Sequence, residues 1–539
     1  MMQAGEEMKR ALWRSFMGSA HATLDHWQSL FEQPEQSQQR LLMRMLSANR
    51  DCAFGQAHDF SGIRDSEEFR KRVPIHTYAQ LQPWIERAQQ EQGPILTASP
   101  PLFFERSSGN SALQKHIPYT QEFLGQLQGS LTVWLADMYR QVPEIGHGSG
   151  YWSMSPPLQQ PAMTANGIPI GSVSDLQYLQ GSAIAGLAGT LLIPELASDV
   201  AHWRRQTLLA LIADAGLSFI SVWSPTFLTS LLQPLLDTEM LESRQIVAWL
   251  EERLPVPRQK ALRHALAHGV FTELWPRLAA VSCWMDGPSR VYAQQLAVRF
   301  PQARWLAKGL FATEGVVSLP FGEGAGCPLA IGSHYLEFIG DDGVPKEAHS
   351  LRMGETAQVL LTTGAGLYRY ALGDRVRVVG KLAGTPRVEF VGRCASTCDL
   401  VGEKLDEQVV ERALAQCMDA ADSACLIPDS SSTLPHYVVL LCTSTTTLAS
   451  ICRTALANDI EMALQRSFHY AHARTLGQLG PVRMRFVCGG AQKLADLLQR
   501  AAESTGIRAG DVKPRALISR LDTAEALLAI TDGSECTQR

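Results

Sequence analysis

Apolar residues recur at helical spacing from Glu6 to about Phe31, with Leu12, Phe16, Leu24, Trp27 and Leu30 in register, and again over Leu41 to Leu46 after the break at Pro34. The spacing predicts packing helices. Short helical patterns follow at Ser66–Lys71 and Tyr78–Gln90, each introduced or interrupted by Pro or Gly. Leu102–Glu105 reads as a short strand that enters a Ser/Gly loop at Arg106–Ser111. A helix resumes near Thr120, with Phe123, Leu127, Leu131 and Leu135 on one face.

Further along, helical stretches (Asp199–Ala215, Pro225–Leu236, Ser289–Phe300) alternate with short apolar runs at Leu217–Trp223 and Trp305–Phe311. That rhythm predicts an α/β body. From Tyr335 to Arg393 the pattern turns β-rich, with strands expected at Tyr335–Ile339, Glu355–Thr362, Arg375–Val379 and Val388–Val391. Beyond Gly402 a helix (Glu407–Met418), a strand (Tyr437–Cys442), a long helix (Leu448–Ala463) and a strand (Val482–Cys488) predict a separate α+β unit. The organisation expected is a large N-terminal domain over 1–392, a hinge at 393–401 and a small C-terminal domain over 402–539.

Composition narrows the partners. With 48 Lys+Arg against 53 Asp+Glu the net charge is -5, so no overall positive field exists to hold nucleic acid. The most apolar stretch, Ala183–Ile193, is too short to span a bilayer, and Glu6, Glu7, Lys9 and Arg10 precede any apolar run, the wrong order for a signal peptide. No membrane partner and a cytoplasmic location are expected. The 11 Cys are scattered without a CxxC pair, which predicts reduced, structural thiols rather than a zinc site.

Polar turns carry the candidate chemistry. Ser107-Ser108-Gly109-Asn110-Ser111, closed by Lys115, offers hydroxyls, backbone N–H groups and an ammonium, a combination suited to a polyphosphate. Gly309–Gly315 is an apolar run ending in Ala312-Thr313-Glu314. Tyr368-Arg369-Tyr370-Ala371-Leu372-Gly373-Asp374-Arg375 follows, then Glu389–Arg393, Val401–Leu405 around Lys404, and Gly510–Arg515 around Lys513. Taken singly, Asp374 reads as a turn residue, Glu314 as a helix cap and Lys513 as a solvated loop lysine. His264 and His268 share a helix face without a third ligand and read as surface histidines. Gly322-x-Gly324-x-Gly326 reads as a flexible loop near the nucleotide, and Gly148-Ser149-Gly150 is no nucleophile elbow.

In this order the motifs resemble the adenylate-forming enzymes, most closely the GH3 family of acyl-acid amido synthetases. The likeness extends to Asn49–Gly55, Phe69–Pro74 and Gly477–Gly480 and covers nearly the whole chain. It implies an α/β fold: a large domain of parallel and mixed sheets flanked by helices, a small β-barrel-like unit and a mobile α+β C-terminal domain. The reaction implied uses ATP and Mg²⁺ to convert a carboxylic acid to its acyl-adenylate, which an amino acid or other amine then intercepts to form an amide.

By the same resemblance, Ser107, Ser108, Gly109, Asn110 and Ser111 would hold phosphates, with Ala312, Thr313 and Tyr370 beside the nucleotide. Glu314 would bind Mg²⁺, Asp374 would accept the ribose hydroxyls, and Arg393 would be the pivot touching the ribose. Lys513 and Lys404 would arrive from the small domain as catalytic groups. Delivery of the acyl group to coenzyme A, or a weakly active nucleotide-binding homologue, are the alternatives. The sequence departs from the family pattern at Asn110, Ala112-Leu113 and Ala395, and the expected acyl pocket draws on the helix Phe123–Met138 with Trp223 and Phe311.

Overall fold

The computed structural model describes residues 2–107, 115–153, 162–171, 178–193, 199–287, 289–340, 342–393, 397–401, 403, 405–418, 423–432, 434–443, 450–507 and 512–532. The first helix, Met2–Glu32, buries Trp13, Phe16, Ala20, Leu24, Trp27 and Phe31, a stripe three or four residues apart throughout. Pro34 then opens the helix Pro34–Ala48 at a position where its missing N–H costs nothing.

Four parallel strands, Ser149–Trp152, Leu217–Ser221, Ala280–Cys283 and Arg304–Ala307, lie side by side in that order. Leu217–Ser221 and Ala280–Cys283 are buried at every position, as expected for central strands covered on both faces. Helices Val200–Ala213, Pro225–Leu236, Val256–His268 and Ser289–Ala297 punctuate the run of strands. Ser224 caps Pro225–Leu236 by accepting from the Thr226 N–H, which explains why its bounds were readable from sequence.

The β-rich segment forms an open six-stranded antiparallel sheet rather than a closed barrel. Its order is Cys327–Pro328, Thr385–Arg393, Tyr370–Leu382, Thr356–Thr362, Tyr335–Ile339, Pro345–Glu347. Here the expected bounds need correcting: the strand expected at Arg375–Val379 begins at Tyr370, and Asp374 sits inside it opposite Arg393. Gly373, at a φ of 86°, lies where the ladder with Thr356–Thr362 shifts register, the mark of a β-bulge.

After Cys398 a second body begins, with its own cores on the two faces of a three-stranded sheet, Ser423–Asp429, His436–Thr443 and Arg483–Cys488. The strand Ser423–Asp429 and the helices Phe468–Thr475, Gly490–Ser504 and Leu521–Thr531 were not anticipated. Tyr292 packs against Ala491 and Ala495, tying this body to the first. Seven described cysteines are free thiols, but Cys488 is disulfide-bonded, which corrects the expectation of uniformly reduced cysteines. Among the described residues no helix is long and apolar enough to cross a membrane.

Candidate active site

The strands Leu310–Ala312 and Gly315–Ser318 form a hairpin whose turn is Thr313-Glu314, so Glu314 caps no helix. Tyr119 Oη donates to the Thr313 carbonyl at 3.0 Å and holds the turn in place. Glu314 is 7% exposed. Tyr370 Oη donates to its Oε1 at 3.3 Å and accepts from Lys115 Nζ at 3.0 Å, while that ammonium lies 3.7 Å from Glu314. Burial, reinforced by the Glu314 carboxylate, pushes the Tyr370 hydroxyl far up, so it stays protonated and serves as the donor.

Tyr370 is aimed by its neighbour. Arg369 adopts a left-handed φ of 48°, unusual for a non-glycine residue, and its guanidinium grips Glu337 through two bonds of 2.9 and 3.0 Å. A third bond, 2.9 Å to the Val73 carbonyl, anchors the turn to the N-terminal helices. The strand that leaves this anchor carries Asp374, 1% exposed, whose Oδ1 accepts from Arg393 Nε at 2.7 Å. The Asp374 charge holds the Arg393 pKa above its ordinary value. Arg393 was expected at the ribose; it is bound first to the carboxylate expected to bind the ribose. A carboxylate offers about four lone-pair sites, so this bond leaves acceptor capacity on Asp374.

Lys513 enters from the second body. Its Nζ lies 4.6 Å from the centre of the Trp284 ring, and burial, aided by the like charge of Arg393 and opposed by Asp374 and Glu314, pushes its pKa down to about 8. Arg515, two residues on, is lowered to about 10 chiefly by burial, with Glu407 opposing. A cleft of about 110 Å³ brings Lys115, Ala312, Thr313, Glu314, Arg393, Lys513 and Arg515 to one surface. A smaller cleft of about 60 Å³ shares Arg393, Lys513 and Arg515 and adds Trp284, Lys308 and Glu411. Glu411 is pushed up to about 7 by burial and then by Glu407 and Asp406.

Of the residues singled out in the sequence, Ala312, Thr313, Glu314, Tyr370, Asp374, Arg393 and Lys513 therefore meet. Ser107 ends the strand Phe103–Ser107, directly opposite Lys115 in an antiparallel pair, which puts the start of the Ser/Gly loop beside the same cleft. Ser108, Gly109, Asn110, Ser111, Ala112, Leu113, Ala395 and Lys404 lie outside the described residues. No cluster of three metal-ligating side chains occurs among the described residues. Glu314 alone suits an ion such as Mg²⁺ that takes one or two carboxylates and completes its shell with phosphate oxygens and water. Gly322, Gly324 and Gly326 line a separate hollow and direct carbonyls to the Arg387 guanidinium, away from this cleft.

Sequence reading missed Lys308. It is 1% exposed, donates to Ser221 Oγ at 2.7 Å and to the Val222 carbonyl at 3.1 Å, and lies 4.3, 5.1 and 5.6 Å from the rings of Trp223, Trp134 and Trp152. The signal was a lone cation in the apolar run Trp305–Phe311. Phe311 packs 5.9 Å from Trp223 and 6.4 Å from Trp134, which joins the groups expected around the acyl pocket.

Models of the GH3 family N-terminal, central and C-terminal domains match residues 23–304, 327–393 and 405–521. The chain belongs to the GH3 family. It is 23% identical over 445 residues to the probable indole-3-acetic acid-amido synthetase GH3.1 of Arabidopsis thaliana, covering 75% of each chain. It is 24% identical over 521 residues to the jasmonoyl-L-amino acid synthetase JAR6 of Nicotiana attenuata, covering 86% of this chain and 88% of that one. In fold, this GH3 chain superposes on AtGH3.15 acyl acid amido synthetase in complex with 2,4-DB, with a TM-score of 0.75 at 19% identity over 95% of this chain and 96% of the other. A 2-hydroxyisobutyryl-CoA ligase in the postadenylation state matches with a TM-score of 0.52 at 12% identity, over 92% of this chain and 91% of that one.

Proposed function

We propose that this GH3 protein is an ATP-dependent ligase that adenylates a carboxylic acid and passes the acyl group to an amino acid or another amine, releasing pyrophosphate and AMP. One observation carries the reading: Lys513, from the second body, shares one cleft with Lys115, Glu314 and Arg393 of the first, and Arg393 is bonded to Asp374 behind it. Attack of the acid on the α-phosphate spreads negative charge over the phosphorus oxygens, and preorganised cations in a site shielded from water stabilise that charge.

In this scheme Lys513 faces the α-phosphate, Lys115 and the Ser107–Ser111 loop hold the outer phosphates, and Asp374, fixed by Arg393, accepts the ribose hydroxyls. Glu314 would hold Mg²⁺, with Tyr370 and Lys115 orienting its carboxylate, and the ion would supply charge to neutralise the phosphates. Residues 1–392 and 402–539 act as two domains about a hinge at 393–401, and rotation about it brings Lys404 to the site in exchange for Lys513. Small acids and amines are the partners.

ATP–pyrophosphate exchange across a panel of acids tests the first step. AMP release driven by hydroxylamine or amino acids, and not by coenzyme A, is the expected outcome for the second. Release driven by coenzyme A alone makes the enzyme a thioester ligase, and absence of exchange with every acid refutes adenylation.

A further inference from the structure

Four parallel strands lie side by side in this molecule, and the ends of three of them contribute to one feature. Trp152 and Ser221 are the last residues of their strands, Trp223 follows two residues after Ser221, and Lys308 follows Ala307 directly. Trp134 reaches over them from the helix Gln121–Gln141. The carboxyl edge of an open parallel sheet is where such folds take their ligands.

The feature is an ammonium in a ring of tryptophans. Two of its three N–H donors go to Ser221 and Val222, and no carboxylate pairs with it among the described residues. Burial pushes its pKa down to about 7, the mark of a cation lacking an anion. A lysine kept only to fill space is an odd choice at a site walled by tryptophan, since an apolar side chain of that volume avoids the desolvation cost.

The cage is also in line with the cleft already described. Lys308 lies over Trp223 at 4.3 Å, Trp223 packs on Trp284 at 5.9 Å, and Lys513 lies over Trp284 at 4.6 Å. Each lysine thus stacks on one ring of the same tryptophan pair, and both line the same small cleft. We propose that Lys308 is a specificity-determining residue of the acyl subsite, which pairs with a second anionic group at the far end of a carboxylic acid whose reacting carboxylate lies toward Lys513. The inference rests on the reading of Lys513 as the group that meets the α-phosphate. It makes a dicarboxylate or comparably charged acid the preferred substrate class.

Matched acids that differ only in the far group test it: phenylacetate against 4-carboxyphenylacetate, and heptanoate against heptanedioate. Each is assayed by hydroxylamine-driven AMP release with wild type, Lys308→Met and Lys308→Gln, the last retaining a donor for Ser221 or Val222. Wild type favours the diacid in kcat/KM at least tenfold, and both variants lower the diacid-to-monoacid ratio by about 100-fold or more, the worth of a desolvated charge pair. A ratio unchanged in the variants, even with both rates reduced, shows a purely structural lysine and overturns the proposal.

Binding without ATP separates this result from the fate of the proposed reaction. The cage tryptophans report it through their fluorescence, and wild-type affinity for the diacid falls as pH rises through about 7 more steeply than that of the variants, which keep only the step of Glu411 in the same cleft. Diacid binding with that pH step, in a protein that fails to exchange pyrophosphate, refutes the adenylation and keeps the subsite. Exchange with monoacids and no diacid binding does the reverse.

Discussion

Lys513 and Lys308 each stack on one ring of the Trp223–Trp284 pair, in different electrical surroundings. Near Lys513 the carboxylates of Asp374 and Glu314 oppose the loss of its proton, and its pKa falls only to about 8. Around Lys308 there are a hydroxyl, a carbonyl and three indole rings, and the pKa falls to about 7. An indole face attracts a cation by about 0.5–2 kcal/mol, too little to replace the hydration of an ammonium. The contrast teaches that neighbouring carboxylates help Lys513 keep its proton, whereas no carboxylate pairs with Lys308 among the described residues.

The largest effect expected from breaking this contrast is at Lys513. Lys513→Ala slows pyrophosphate exchange about 10²–10³-fold, the usual loss for one transition-state donor, while leaving ATP affinity nearly intact. In wild type the exchange rate falls, by up to about tenfold per unit, as pH rises above about 8 and the ammonium loses its proton. The variant lacks that limb; an unchanged rate, or a limb that persists in the variant, removes Lys513 from the chemistry.

Next in size is Asp374→Ala, which removes one of the carboxylates near Lys513 and so makes its surroundings resemble those of Lys308. The alanine leaves Arg393 without its 2.7 Å acceptor, and the protein loses about 3 kcal/mol, the low end for a broken buried pair because Arg393 keeps some solvent contact. Urea denaturation reads this, and an unshifted midpoint shows that the pair contributes nothing.

The smallest effect concerns Lys308 and stability. Its folded pKa of about 7 lies below the unfolded value near 10.4, so the unfolded chain binds more protons between those limits and stability rises with pH there. Lys308→Met removes up to about 1 kcal/mol per pH unit of that slope from just above pH 7, where Lys513 contributes little. Equal slopes for variant and wild type sink the claim of an uncompensated charge.

Local signals were legible where local physics decides. Pro225–Leu236 was bounded by its proline and serine cap, and Gly-containing turns between β-rich runs marked the antiparallel strands. The ordered motifs identified the turn at Glu314 and the position of Asp374. What required tertiary structure was pairing. That Asp374 meets Arg393 depends on a register that includes two bulges, and Gly373 imitated a turn. Lys308 was invisible because its partners, Trp134, Trp152 and Ser221, lie 87 to 174 positions away in sequence and acquire meaning only at a shared sheet edge. Ser423–Asp429 was missed because Pro428 argues against a strand.

The N-terminal helices are held by groups encoded much later. The Gln38 amide donates to the carbonyls of Ile331 and His334 and accepts from the Leu336 N–H, His76 exchanges backbone bonds with Arg369 and Ala371, and Phe31 accepts from Gly384 and Thr385. During synthesis these early segments emerge first yet find their polar partners only after residue 385 has left the ribosome. These polar groups must wait, unsatisfied, through some 300 further residues of translation, a delay of the kind that long-range contacts impose on folding.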